Sequence, residues 1–283
     1  MDASWNYKVY LFSLGIPVER SSGDLSQYFT QRIIGGVDAP KGYAPHMVAL
    51  VGGRVFIIVG CGGSIISKKH VLTAAHCIDF YVAPLYGLLR NFHGRVGSNQ
   101  WAAGGTKIEF TTYNIHPKYD ADNIKYDIGV LVMSEELKLN EKVAIMALNY
   151  KWVGGGHKTY VTGWGVTGPR WDENVVHLAP TPDDLQLLYV NTIDAENCAL
   201  GVKNASLSMP WAPALNPAIE LCSFHSPRHG MCNGDSGSAM VSLKYGDQIG
   251  LVSWGFPCAT GAPDVFVRIS GFKDYLEFVL NKL

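Results

Sequence analysis

Cys232-Asn233-Gly234-Asp235-Ser236-Gly237-Ser238 is the stretch from which the rest of this chain can be read. Two glycines bracket an acid–serine pair, so the backbone can turn tightly and present the Ser236 hydroxyl at the outside of the turn. The N–H groups of Gly234 and Ser236 can then point the same way, which is the geometry that holds a developing oxyanion. A serine hydroxyl alone is a weak nucleophile. It needs a base within hydrogen-bond reach, and the base needs a group that orients it. A histidine and a carboxylate in comparably special settings are therefore required elsewhere.

Thr73-Ala74-Ala75-His76-Cys77 supplies the histidine. The two alanines leave room for close backbone packing, and Cys77 can pin the loop to Cys61. Tyr126-Asp127-Ile128-Gly129-Val130-Leu131 supplies the carboxylate, at the mouth of an apolar run. Buried there, Asp127 is poised to accept from an imidazole N–H. Singly, each has a bland reading: a loop histidine, a turn or cap aspartate, a Gly-Asp-Ser-Gly turn. Together, in the order His, Asp, Ser, they form a nucleophilic constellation.

Composition bounds the setting. At 283 residues, 47% apolar and 17% charged, the chain is globular and large enough for one large or two small domains. A net charge of −1 with no basic run gives no support for nucleic-acid or anionic-membrane partners. Six cysteines form an even set without a C-x-x-C pair, which favours disulfides in an oxidising compartment over zinc or redox chemistry. Lys8 followed by Val9 to Val18 resembles a secretory signal, but Ser13, Gly15 and Pro17 dilute it and no A-x-A-like site follows. Two readings stay open: a weak signal peptide, or a start that is not the natural one. The stretch is too short to span a bilayer. Asn204-Ala205-Ser206 is the single glycosylation sequon.

Residues 19–31 read as a polar, irregular leader, within a leader or activation segment that spans 1–32. From Met47 onward, short β-rich runs alternate with Gly/Pro/Asn turns: Met47–Val51 and Arg54–Val59 as a hairpin, then Ser64–Ile66, Lys107–Phe110, Ile128–Val132, Tyr160–Thr162, Leu187–Val190, Ala239–Val241, Ile249–Ser253 and Val265–Ile269. This is the pattern of an all-β barrel or sandwich. Val153-Gly154-Gly155-Gly156 is a plausible link between two halves. Only the C-terminal stretch reads as a helix, with Phe272, Tyr275, Leu276, Val279 and Leu283 on one face.

Four motifs carry a family resemblance: Ile33-Ile34-Gly35-Gly36, Ala74-Ala75-His76-Cys77, Asp127-Ile128-Gly129-Val130-Leu131 and Gly234-Asp235-Ser236-Gly237, supported by Gly163-Trp164-Gly165 and Ser253-Trp254-Gly255. From about Ile33 to Leu283 the chain resembles the chymotrypsin/trypsin-like serine peptidases. The α/β-hydrolases run in the order Ser, Asp, His and are excluded.

The resemblance implies an all-β fold of two packed antiparallel six-stranded barrels with a C-terminal helix. The first barrel would span about 47–150, the second about 157–270 and the helix about 271–283. It implies a secreted endopeptidase with His76, Asp127 and Ser236 as the catalytic triad, Gly234 and Ser236 as oxyanion donors, and disulfides Cys61–Cys77, Cys198–Cys222 and Cys232–Cys258. It also implies zymogen activation by a trypsin-like peptidase cutting after Arg32, the new ammonium of Ile33 then pairing with Asp235.

The resemblance also implies substrate binding at Gly230, Asn233, Ser253, Gly255 and Asp264. Gly230 stands where trypsins carry an acid at the floor of the primary pocket, and Met231 with this glycine favours aromatic or long apolar groups. Asp264, on a pocket wall, resembles the pattern of broad-specificity invertebrate digestive peptidases, including the collagenolytic brachyurins. Two readings of Asp264 stay open: a carboxylate facing the cavity that accepts Lys, Arg or Gln, or one capped by backbone N–H groups without effect on selectivity. The expected partners are protein or peptide substrates and protein inhibitors, in a monomer that uses no cofactor and no metal. Gly97–Gly105 has no Asp or Glu with which to hold calcium, and Pro227 breaks any helix that would pair His225 with His229 on a metal. The alternative is a catalytically silent homologue acting as a binding or immune-cascade partner.

Overall fold

The computed structural model describes residues 33–282 except 54–56, 84–86, 167–168, 173–174, 179–180, 208–211 and 257. The leader with Arg32, the start of the strand expected at Arg54, and Leu283 lie outside the described residues.

Six strands close into an antiparallel barrel. Gln186–Ile193, Lys158–Gly163, Ala239–Ser242, Gln248–Gly255, Asp264–Arg268 and Glu220–Phe224 are neighbours in that order. The ring closes because Glu220–Phe224 pairs back onto Gln186–Ile193, with Asn191 opposite Phe224 and Ile193 opposite Cys222. Val37–Asp38 adds a short outer strand on Gln186–Ile193.

The other sheet holds Thr106–Ile108, His93–Val96, Met47–Gly52, Ile58–Ile65, His70–Thr73, Gly129–Met133 and Phe110–Ile115, in that spatial order. It curls without closing among the described residues, so the all-β expectation holds while one of the two barrels is a half-barrel. Extra residues in the ladders after Leu50, Val132, Met240 and Val252 bend the strands and permit this coiling. All six residues of Met47–Gly52 are buried because alternate side chains face two cores: Val48 and Leu50 join Leu72 and Ile78, whereas Met47, Ala49 and Val51 pack with Trp164, Leu185 and Leu187.

The C-terminal helix, Lys273–Lys282, follows a 3₁₀ turn at Ile269–Phe272. Its apolar face packs into a core that both sheets share: Phe272, Leu276 and Val279 lie with Leu72, Ile78 and Ile128 on the side of the open sheet and with Ile219, Leu251 and Val267 on the side of the closed barrel. Each such buried side chain contributes about 1.5–3 kcal/mol relative to exposure. Tyr275 adds a hydrogen bond from its hydroxyl to the Asn114 carbonyl, 2.8 Å. The end of the chain thereby straps the half-barrel that contributes His76 and Asp127.

Among the described residues, two further helices correct the expectation of a single one. Ala75–Phe80 is only six residues long, below the length at which helical periodicity can be seen. Ala195–Ser206 buries only Cys198 and Val202, so its apolar stripe is thin. Its start is nonetheless signalled: the Asp194 carboxylate accepts from the Asn197 N–H at 2.8 Å, an N-cap.

Candidate active site

The register of one strand pair brings His76 and Asp127 together. Thr73 lies opposite Gly129, so the residues that leave His70–Thr73 and those that enter Gly129–Met133 run side by side. Asp127 Oδ2 lies 2.8 Å from His76 Nδ1, and Asp127 Oδ1 accepts the His76 backbone N–H at 2.9 Å. A third donor comes from the closed barrel: the Ser253 hydroxyl gives a 2.6 Å bond to Oδ2. Asp127 is 1% exposed. Burial is the largest influence on its carboxyl and pushes its pKa up, but the charge and hydrogen bonds of His76, with Ser253, outweigh it and hold Asp127 below the ordinary carboxylate range. His76 feels the mirror image. Burial pulls its imidazole down, whereas the charge and hydrogen bond of Asp127, assisted by Asp79, carry it above the ordinary range.

The Ser236 turn is tied to the open sheet through its backbone. The Ser236 carbonyl accepts from Gly62 N–H at 2.8 Å, and Gly62 adjoins Cys61, which is bonded to Cys77 beside the histidine. Gly237 has φ +79°, and a Cβ there would overlap Thr73 Oγ1 and the Gly62 carbonyl. Only glycine allows the serine turn to lie this close to the strand that leads to His76. The Ser236 hydroxyl makes no hydrogen bond among the described residues.

Gly234 has φ +100°. The N–H groups of Gly234 and Ser236 are not consumed by any hydrogen bond among the described residues, whereas their neighbours Asp235, Gly237 and Ser238 donate to Cys232, Val252 and Asp235 carbonyls. Asp235 is buried beneath the turn and accepts from Gly165 N–H at 2.8 Å and Cys232 N–H at 3.0 Å. Burial, opposed by those two donors, pushes its pKa up to about 7. Ile33 is also fully buried, in the core of the closed barrel with Val161, Met231 and Met240.

Of the groups expected to bind substrate, Gly230 and Gly255 lie against Asp264. This carboxylate is 7% exposed, and its Oδ2 accepts from Met231 N–H at 3.1 Å. A Cβ on Gly230 would stand 2.7 Å from the same oxygen, and one on Gly255 would stand 3.5 Å from Oδ1. Asp264 therefore fills the space left by two absent side chains, with one oxygen capped and Oδ1 unbonded among the described residues. Burial is the chief cause that raises its pKa to about 7, and the nearby charge of Asp235 adds to it. Gly255, opposite Asp264 in the ladder, is exposed. The far edge of this strand pairs with Ala239–Ser242 only as far as Leu251, with Val252 held by Ser238 and Gly237, so the outer edge of Ser253–Gly255 has no strand partner among the described residues and opens to solvent at Gly255. Asn233 is exposed, and its carbonyl accepts from Val166 N–H.

Cys61–Cys77, Cys198–Cys222 and Cys232–Cys258 are bonded. Cys61, His76 and Cys77 form the one cluster of metal-ligand types among the described residues, but its sulfurs are spent in a disulfide and offer no thiolate. The Ser253 bond to Asp127 was not legible in the sequence. The motif Ser253-Trp254-Gly255 marked the segment without revealing what the hydroxyl holds.

A closed six-stranded barrel beside a curled half-barrel, with a C-terminal helix, is the chymotrypsin-like fold. The family profile named Trypsin matches residues 33–276, and the chain belongs to this family of serine peptidases. It is 31% identical over 246 residues to chymotrypsin-2 of Vespa crabro, covering 87% of this chain and 98% of that protein. Trypsin 5G1 of Aedes aegypti is 30% identical, covering 88% and 85% respectively. Hypodermin-A of Hypoderma lineatum is 30% identical, covering 94% and 93%.

Proposed function

We propose that this chain is an active secreted serine endopeptidase, made as a zymogen and switched on by cleavage after Arg32. The observation that carries the reading is the buried Asp127, which fixes His76 through two hydrogen bonds at the level of a serine turn whose Gly234 and Ser236 amides are uncommitted.

Ser236 Oγ attacks the scissile carbonyl as His76 Nε2 takes its proton. The carbonyl electron pair moves onto oxygen, and the Gly234 and Ser236 N–H groups stabilise that charge. Collapse of the tetrahedral adduct breaks the C–N bond, and the amine leaves with the proton held by His76. Water then repeats the sequence on the acyl-enzyme ester and frees Ser236. Asp127 stays ionised throughout, holding the imidazole tautomer and its cationic form.

Asp235 supports the activation step. A buried carboxylate with two backbone donors and no cation partner among the described residues is an unfinished ion pair, which an ammonium on Ile33 would complete. Asp264 supports chymotrypsin-like to broad specificity: an uncharged floor at Gly230 admits large apolar groups, and the free Oδ1 extends acceptance to Lys, Arg or Gln. The three disulfides support an oxidising, extracellular setting.

Rates on Phe, Leu and Arg amide substrates, before and after trypsin treatment, test the proposal. Cleavage is expected only after cutting. Full activity of an Arg32→Gln protein would overturn the zymogen step, and Arg cleavage unchanged in Asp264→Gly would remove the charged wall. No cleavage of any substrate after a verified cut at Arg32 would favour the silent homologue.

A further inference from the structure

Lys125 and Glu220 form an ion pair of 2.7 Å that the triad and the substrate pocket do not account for. Their side chains are only 16% and 5% exposed. Glu220 Oε1 also accepts the Trp254 indole N–H at 2.9 Å, and Oε2 accepts the Asn216 backbone N–H at 2.6 Å. Lys125 Nζ lies 5.1 Å from the centroid of the Trp254 ring. One carboxylate thus holds both an ammonium and an indole that face each other.

The two arms of this brace end at the two halves of the site. Lys125 stands two residues before Asp127. The backbone around it is strained, with φ +46° at Ile124 and +53° at Tyr126, a region that non-glycine and especially β-branched residues avoid. Lys125 exchanges backbone hydrogen bonds with Asp120 at 3.1 and 3.0 Å, and Ile124 packs into the cluster that holds Trp254, Phe256 and Val265. Trp254, at the other end, lies between Ser253, which donates to Asp127, and the exposed Gly255 beside Asp264.

We propose that Lys125 and Glu220 are positioning residues for peptide hydrolysis: the pair locks the loop that leads into Asp127 against the Ser253–Gly255 edge, fixing His76 relative to the bound substrate chain. The inference rests on the peptidase reading above. Neither side chain meets the reacting atoms. A substrate with several residues before the scissile bond, extended along the Ser253–Gly255 edge, depends on that fixed relation. A single-residue ester, held by the pocket alone, depends on it less.

The test compares Lys125→Met, Lys125→Arg, Glu220→Gln and the Lys125→Met/Glu220→Gln double variant, each cut after Arg32 and counted for active sites by an ester burst. Per active site, Lys125→Met is expected to lose up to about 100-fold in kcat/KM on a peptide amide with four residues before the scissile bond, and less than about threefold on the single-residue ester. Lys125→Arg should recover most of the loss, and the double variant should be no worse than Lys125→Met. Equal losses on both substrates, or a lowered melting temperature with unchanged kinetics, would overturn the positioning role. Proton NMR of the His76 Nδ1–H and Trp254 Nε1–H resonances decides the matter without turnover. Both should move in Lys125→Met and return in Lys125→Arg, and resonances that stay put would overturn the brace. Absence of a burst in the parent protein would count against the peptidase reading, while the resonances would still judge the brace.

Discussion

Asp127 keeps its charge at 1% exposure because His76 and Ser253 supply what water would have given. On the proposed function the same contacts set the working pH: His76, as the base, acts only when neutral, so kcat/KM should rise with pH through an imidazole value above the ordinary one, to which Asp127 raises it against the pull of burial. In Asp127→Asn that support disappears and burial prevails. The acid limb should then shift to lower pH while kcat falls by about 10⁴, the loss typical of this change in such a triad. A pH profile of kcat/KM for both proteins checks this, and an unmoved acid limb would contradict it. The sequence named His76, Asp127 and Ser236 because their local motifs are short and specific. It left Asp264 open between two orientations, because which way a carboxylate faces depends on the Met231 N–H and on two glycines distant in sequence.

The element that carries His76, the helix Ala75–Phe80, rests on a glycine. A Cβ at Gly129 would stand 2.6 Å from Ile78 Cδ1 and 3.1 Å from the Asn114 carbonyl. Gly129→Ala should therefore overpack this contact at a cost of about 1–3 kcal/mol. Thermal melting should show a fall of about 2–4 °C for each kcal/mol, accompanied by a lower kcat as the helix is displaced. A melting temperature and kcat equal to the parent's would contradict the packing argument. At this scale the strands were legible where apolar runs were bounded by turns. His70–Thr73, His93–Val96 and Glu220–Phe224 escaped. Their sequences mix histidine, arginine, glutamate and cysteine with apolar residues, and tertiary burial overrides that polarity: His70 and Glu220 are 5% and 4% exposed.

For the molecule as a whole, Asp235 and Asp264 make stability depend on pH, and under the proposed activation Asp235 also ties it to cleavage after Arg32. Both have folded-state pKa values raised from 3.8 to about 7, mainly by burial. Between those values the folded chain holds protons that the unfolded chain has released, so this contribution to stability is present at low pH and lost as pH rises from about 4 to 7. An ammonium on Ile33 would reverse the effect for Asp235 by rewarding its charged form. The cut protein should therefore melt above the intact chain at pH 7.5, with a smaller gap at pH 5. Equal melting temperatures at pH 7.5 would count against the ion pair. That one of the two barrels closes and the other, among the described residues, does not was beyond the sequence, since closure is decided by pairing between Asn191–Ile193 and Cys222–Phe224.

The most direct measurement is mass spectrometry of the chain after exposure to an organophosphate, before and after trypsin cuts at Arg32. The expected result is one equivalent on Ser236 in the cut protein, little in the intact chain, and none in a cut His76→Ala variant. A cut protein that stays unlabelled, or is labelled equally without His76, would contradict an activated Ser236.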